Sequence, residues 1–236
     1  KSSTADVIVF CGVAFMGENA KILNPNKKVL MPDVSADCPI AHMVTEGRIK
    51  ELREKYDDLA VVCYINSTAE LKCQSDVCVT SSNAVKIVKA LPNKNIFYKK
   101  KKNLGRYVAE QVPEKNVILN HGYCPIHVKV SLEEVLQEKK LHPTALVLSH
   151  PECEENILNI SDYIGSTAEI IDFAKQSEKD EFIICTEDGV EFELIKTNPN
   201  KKFYFTKTRP CCVDMKLNTL DKLLKVLETE ENSIEV

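Results

Sequence analysis

Short β-branched runs alternate with amphipathic stretches along the chain. Residues 7–11 (Val-Ile-Val-Phe-Cys) predict a strand, 14–23 a helix, 28–31 a second strand and 46–56 a charged amphipathic helix. A strand over 60–65, a helix from Ser67, a short strand at 77–79 and a helix over 82–90 come next. Residues 95–98, 116–119, 146–149, 163–164, 181–185 and 202–205 continue the strands, most of them followed by a helical pattern. Strands alternating with helices of about ten residues imply right-handed βαβ units and parallel sheets. The longest apolar runs, 6–13 and 144–149, fall far short of the roughly 20 residues of a membrane span.

Internal repetition sharpens this picture. Cys38-Pro39-Ile40 recurs as Cys124-Pro125-Ile126, 86 positions later, and Cys212 lies another 88 positions on. Tyr64-Ile65-Asn66-Ser67-Thr68-Ala69-Glu70 recurs as Tyr163-Ile164-Gly165-Ser166-Thr167-Ala168-Glu169, at an offset of 99. Each of the three spaced cysteines follows a strand by a few loop residues. The expected architecture is therefore α/β, with three pseudo-equivalent small parallel-sheet domains around an approximate threefold axis. The first domain is incomplete, because counting back 86 from Cys38 leaves the chain. The expected bounds are 1–41 for the C-terminal half of the first domain, 42–127 and 128–214 for the second and third, and 215–236 for a C-terminal helix and tail.

Composition narrows the class. The chain has 236 residues, ten cysteines, seven glycines and no tryptophan. A net charge of −4 argues against a nucleic-acid surface. The chain is too long and too charged for a disulfide-stapled secreted miniprotein, and no signal-peptide pattern opens it, so a cytoplasmic location and thiol or metal chemistry are expected. Any one cysteine reads as a small buried hydrophobe. Three at regular spacing read as ligands converging on one point, either as a Cys₃ zinc site or as a [4Fe–4S] cluster with one iron left open. Cys11, Cys63 and Cys185 read as strand core; position alone does not separate Cys211 from Cys212.

Polar elements fall at strand ends, where open α/β sheets bind ligands. They are Tyr64-Ile65-Asn66-Ser67-Thr68, Thr80-Ser81-Ser82-Asn83, Gly165-Ser166-Thr167 and His150-Pro151-Glu152-Cys153. Free N–H groups at helix starts suit carboxylate or phosphate, and His150 with Glu152 can run acid–base chemistry. Three such helix starts beside a metal centre point to a small, multiply anionic ligand. Lys99–Lys102 reads as a solvated charge run. No G-x-G-x-x-G, P-loop or nucleophile elbow occurs, which excludes the common dinucleotide, ATP and serine-hydrolase signatures.

These motifs, together with Phe15-Met16-Gly17-Glu18, residues 32–39, Asn103-Leu104-Gly105-Arg106-Tyr107-Val108, Gly122-Tyr123-Cys124-Pro125, Thr186-Glu187 and Cys212-Val213-Asp214-Met215-Lys216, resemble the quinolinate synthases over essentially the whole chain. The resemblance implies a central [4Fe–4S] cluster held by Cys38, Cys124 and Cys212, selecting Cys212 over Cys211. It implies condensation of iminoaspartate with dihydroxyacetone phosphate, losing phosphate and two waters to give quinolinate for NAD biosynthesis, and a functional link to L-aspartate oxidase. It assigns Glu152 to proton transfer, with His150 and Tyr64 as further catalytic groups and Tyr64, Ile65, Asn66, Ser81, His150, Pro151, Glu152 and Thr167 as substrate contacts. Two departures stand out: the family's preceding half-domain, with a His-Asn-Tyr motif, is not in this sequence, and the lysine run replaces the family's Pro-Asp before Asn-Leu-Gly. A Cys₃-metal lyase or hydrolase and a non-catalytic iron–sulfur sensor or scaffold are the alternatives.

Overall fold

The computed structural model describes residues 4–99, 102–120 and 122–236; Lys100 and Lys101 of the lysine run lie outside the described residues. Every sheet is parallel. β1 (Val7–Val9) pairs with β2 (Lys28–Leu30) across α1 (Ala14–Leu23). After α2 (Glu46–Lys55) come β3 (Leu59–Tyr64), α3 (Ala69–Cys73), β4 (Val77–Val79), α4 (Ala84–Ala90), β5 (Asn95–Lys99), α5 (Lys102–Gln111) and β6 (Asn116–Leu119). These strands form a sheet in the order β4-β3-β5-β6. After α6 (Leu132–Leu141) the same plan returns in β7 (Leu146–Ser149), α7 (Glu155–Leu158), β8 (Tyr163–Ile164), α8 (Thr167–Gln176), β9 (Glu181–Cys185), α9 (Val190–Thr197) and β10 (Lys202–Tyr204). Their order, β8-β7-β9-β10, matches the previous sheet strand for strand, and α10 (Leu220–Thr229) follows. The α/β fold class with small parallel sheets is thus as the periodicity predicts.

The repeat follows an 86-residue step: Val77 to Tyr163, Asn95 to Glu181 and Asn116 to Lys202 are the starts of matching strands. The 99-residue echo does not belong to it. Tyr64 ends the inner strand β3, whereas Tyr163 lies on the edge strand β8. The echo arises because both segments run from a strand into a helix. Thr68 caps α3 by accepting from the Leu71 N–H, and Ser166 caps α8 by accepting from the Glu169 N–H. Ser/Thr followed by Glu is a helix-start signature wherever it occurs.

Helices cover both faces of the larger sheets, which explains why β3 is buried at all six positions and reads as an unbroken apolar run. Ala60, Val62 and Tyr64 pack toward Val88 of α4 and Val108 of α5. Leu59 and Val61 pack on the other face against Ile49 and Leu52 of α2. In the next sheet Val147 and Ile183 meet Val135 of α6, and Leu148 and Phe182 meet Ile170 of α8 and Leu194 of α9. Cys63 and Cys185 are core as expected, but Cys11 is exposed, because β1 stops at Val9 and the chain has already left the sheet. α10 keeps Leu220, Leu224 and Leu227 exposed along one face. No helix among the described residues is long and apolar enough to cross a membrane.

Candidate active site

In each larger sheet, the first strand has its successor on one side and the third strand on the other. Chain direction around the sheet therefore switches beside β3 and β7, and crevices at such points lie beyond the strands' carboxyl ends. Tyr64 ends β3 and leads to Asn66; Ser149 ends β7 and leads to His150 and Glu152. The loops leaving the last strands of the three sheets reach the same region. Cys38 lies eight residues past β2, Cys124 five past β6 and Cys212 eight past β10. All of these side chains except that of Ser149 line a single cavity of about 480 Å³.

Each cysteine sits at a tight turn that supplies hydrogen-bond donors. Cys38 opens a 3₁₀ turn at Pro39–His42, and its sulfur accepts from the Ile40 N–H and, at 3.8 Å, from Asn66 Nδ2. The Cys212 sulfur accepts from the backbone N–H groups of Met215 and Asp214. Cys124 Sγ stands 3.1 Å from His127 Nδ1. Burial pushes the Cys38 thiol up to about 11 and raises Cys212 as well, so without a metal these groups hold their protons at neutral pH.

The second half of the cavity is an imidazole–carboxylate array. The Glu152 side chain is buried, with Oε2 at 3.4 Å from His127 Nδ1. The rings of His127 and His150 stack with centroids 4.5 Å apart. His150 Nδ1 accepts from the Glu152 N–H at 3.2 Å, which places the ring's proton on Nε2 in the neutral form. The His150 N–H in turn donates to the Cys185 carbonyl at 3.1 Å, tying this loop to the end of β9. Burial disfavours charge on His127, but hydrogen bonding to Cys124 and Glu152 outweighs it and raises the imidazole above its ordinary range. Tyr64 is also raised, first by burial and then by the Glu152 carboxylate, against a hydrogen bond with Ser81. Tyr98, at the same end of β5, is buried with its hydroxyl free of any hydrogen-bond partner among the described residues and is coupled electrostatically to Tyr64 and Glu152.

Of the residues expected from sequence, Cys38, Cys124, Cys212, Tyr64, Asn66, Ser81, His150, Glu152 and Thr167 line the cavity. Ile65 and Pro151 do not; Ile65 packs between two apolar clusters and gives its N–H to the Val79 carbonyl, and Pro151 is buried in the turn between its neighbours. Cys211 lies outside the cavity beside Glu187 and Asp188. Gly165 is required where β8 enters α8, because a Cβ there would lie 2.7 Å from the Tyr163 ring. Sequence reading missed His127 and Tyr98, and marked Thr186-Glu187 as a motif without giving either residue a role. His127 was marked by its place three residues after Cys124. Glu187, whose carboxylate accepts the Cys212 N–H at 3.2 Å, has no such local signal.

A cavity at the carboxyl ends of parallel strands, furnished with thiol, imidazole and carboxylate groups, defines the class: an α/β enzyme with metal-type donors. A family model described as Quinolinate synthetase A protein matches residues 1–236. Three proteins named quinolinate synthase are similar throughout. That of Fusobacterium nucleatum is 56% identical over 229 residues, covering 97% of this chain and 76% of the relative. Those of Caldicellulosiruptor saccharolyticus and Caldicellulosiruptor bescii are 51% and 53% identical, with 98% of this chain and 79% and 76% of the relatives covered. The chain belongs to the quinolinate synthase family and is an enzyme.

Proposed function

We propose that the chain forms quinolinate from iminoaspartate and dihydroxyacetone phosphate, releasing phosphate and two waters, and that Cys38, Cys124 and Cys212 hold a [4Fe–4S] cluster. The observation that carries this reading is the meeting of three thiols, one from each sheet's exit loop, in one cavity with His150 and Glu152. We read 1–41, 42–127, 128–214 and 215–236 as the corresponding structural units.

The donor set fits a cluster better than one ion. Among the described residues, the three sulfurs are not gathered within the 4.8 Å that a shared ion would need. When bound, a three-cysteine cluster supplies an open iron as a Lewis acid toward substrate oxygens. The protein's own groups divide the remaining work. Glu152, buried beside His127 Nδ1, moves protons during the dehydrations. His150 offers a donor from Nε2, and Tyr64, braced by Ser81, forms one wall with Asn66. The hydroxyls of Ser81 and Thr167 receive carboxylate or phosphate oxygens.

Anaerobic reconstitution with iron and sulfide tests the assignment. Broad visible absorbance is expected in the parent and in Cys211→Ala, and its loss in Cys38→Ala, Cys124→Ala and Cys212→Ala. Quinolinate production from the two substrates then tests the reaction. A second reading is supported by one observation: donor atoms of Cys124, His127 and Glu152 lie within 4.8 Å of one another, as a mononuclear site requires. Stoichiometric zinc without sulfide in anaerobically purified protein would favour that reading.

A further inference from the structure

We propose that Thr186 is a positioning residue that fixes the tautomer and orientation of His127, and through it the Glu152 carboxylate. This extends the reading of Glu152 as the proton-transfer group and rests on it. Thr186 immediately follows β9 and is 1% exposed, and its hydroxyl lies 3.0 Å from His127 Nε2. The opposite nitrogen, Nδ1, faces Glu152 Oε2 at 3.4 Å and Cys124 Sγ at 3.1 Å. A carboxylate only accepts, and so does a cysteine serving as a thiolate ligand. His127 therefore meets them with a proton on Nδ1.

In the neutral ring that choice leaves a lone pair on Nε2, in a place closed to water. A buried acceptor needs a donor. The Thr186 O–H, free to rotate, supplies it. His150 stacks on the imidazole face at 4.5 Å, so the ring is confined to its plane and its remaining freedom is a flip within that plane or a change in which nitrogen bears the proton. The hydroxyl removes that freedom. Valine at 186 would keep the volume and leave Nε2 without a donor, favouring the other tautomer or a rotated ring. Either outcome withdraws the N–H that steers Glu152. Serine would keep the donor and give up only a methyl group.

The experiment compares Thr186→Val and Thr186→Ser with the parent. In metal-free, ¹⁵N-histidine-labelled protein, where Glu152 still accepts from His127, and at a pH above the raised range of His127 so that the ring is neutral, the imidazole ¹⁵N spectrum should show the proton on Nδ1 in the parent and the serine variant. Valine should lose that signature. In reconstituted protein with equal iron content, valine should lower kcat about tenfold to a hundredfold with KM nearly unchanged, and serine should restore most of the loss. An unchanged tautomer in the valine variant overturns the proposal, as does a serine variant no better than valine, which would show that only packing matters. If the parent makes no quinolinate, the proposed reaction fails, and the imidazole spectrum still decides the role of Thr186.

Discussion

Glu152 is a buried carboxylate whose nearest basic neighbour is an imidazole and whose environment includes two tyrosine hydroxyls. Holding a charge there costs folding energy, and a group kept at such cost is one that chemistry requires. Glu152→Gln should leave the melting temperature of the metal-free protein unchanged or higher, while lowering quinolinate turnover by roughly 10²- to 10⁴-fold, the usual range for a lost proton-transfer group. Calorimetry and steady-state kinetics on the same preparation check both halves. A variant that loses stability and activity together would mark Glu152 as structural. At this scale the sequence was legible where chemistry repeats. Cys38 and Cys124 could be matched by spacing, which left the third place to Cys211 or Cys212, and His150 and Glu152 by their place after a strand. Tyr98 was not legible and the roles of Thr186 and Glu187, quoted only as a motif, were not either, because each matters through a neighbour 25 or more positions away.

Helices and strands were read well where they are long and buried on one pattern, as β3 and β9 show. The short edge strands β4, β6 and β8 were read at their observed bounds, but β1 was read too long: it covers three residues, and Cys11, expected inside it, is exposed. The cause is physical, since an edge strand ends where its partner does, and the partner is set by tertiary structure. Capping was legible as chemistry but misleading as a repeat. In α8 the Ser166 hydroxyl accepts the Glu169 N–H while the Glu169 carboxylate accepts the Ser166 N–H at 2.7 Å, a closed capping box at the cavity's edge. Ser166→Ala should cost about 1 kcal/mol, read as a lower urea midpoint, and Ser166→Thr should cost much less. α10 is held to the loop after β2 by the Lys222–Asp33 ion pair. Hydrogen bonds from Lys222 and Ser35 hold the Asp33 carboxyl down at about 2, below its reference of 3.8. A depressed carboxyl stabilises the fold above its unfolded value and loses that contribution as pH falls through its folded value. Asp33→Asn should therefore lower stability at pH 7 and make little difference near pH 2, with solvent screening keeping the effect small. Urea titrations of both proteins across that range measure the convergence.

The described residues form three sheets, and each sends one cysteine loop to the same cavity. Contacts between sheets elsewhere include polar ones, such as the exposed Arg106–Glu155 pair that joins α5 to α7. Exposed ion pairs of this kind contribute little. A centre that bonds to all three loops would therefore act as a common tether, and its binding energy would be folding energy for each sheet at once. Hydrogen exchange on the complete protein can read this directly. On cluster assembly, amides around residues 38–42, 124–130 and 212–217 should gain protection together, with a higher melting temperature. Cys124→Ser, which removes a proposed ligand from one loop alone, should abolish the gain in all three. If protection rose only around 124–130 in the parent, the ligands would be local to that loop, as in the Cys124–His127–Glu152 arrangement, and the sheets would be joined by packing alone. The pattern across three distant segments, set by one side chain, separates a shared centre from a private one.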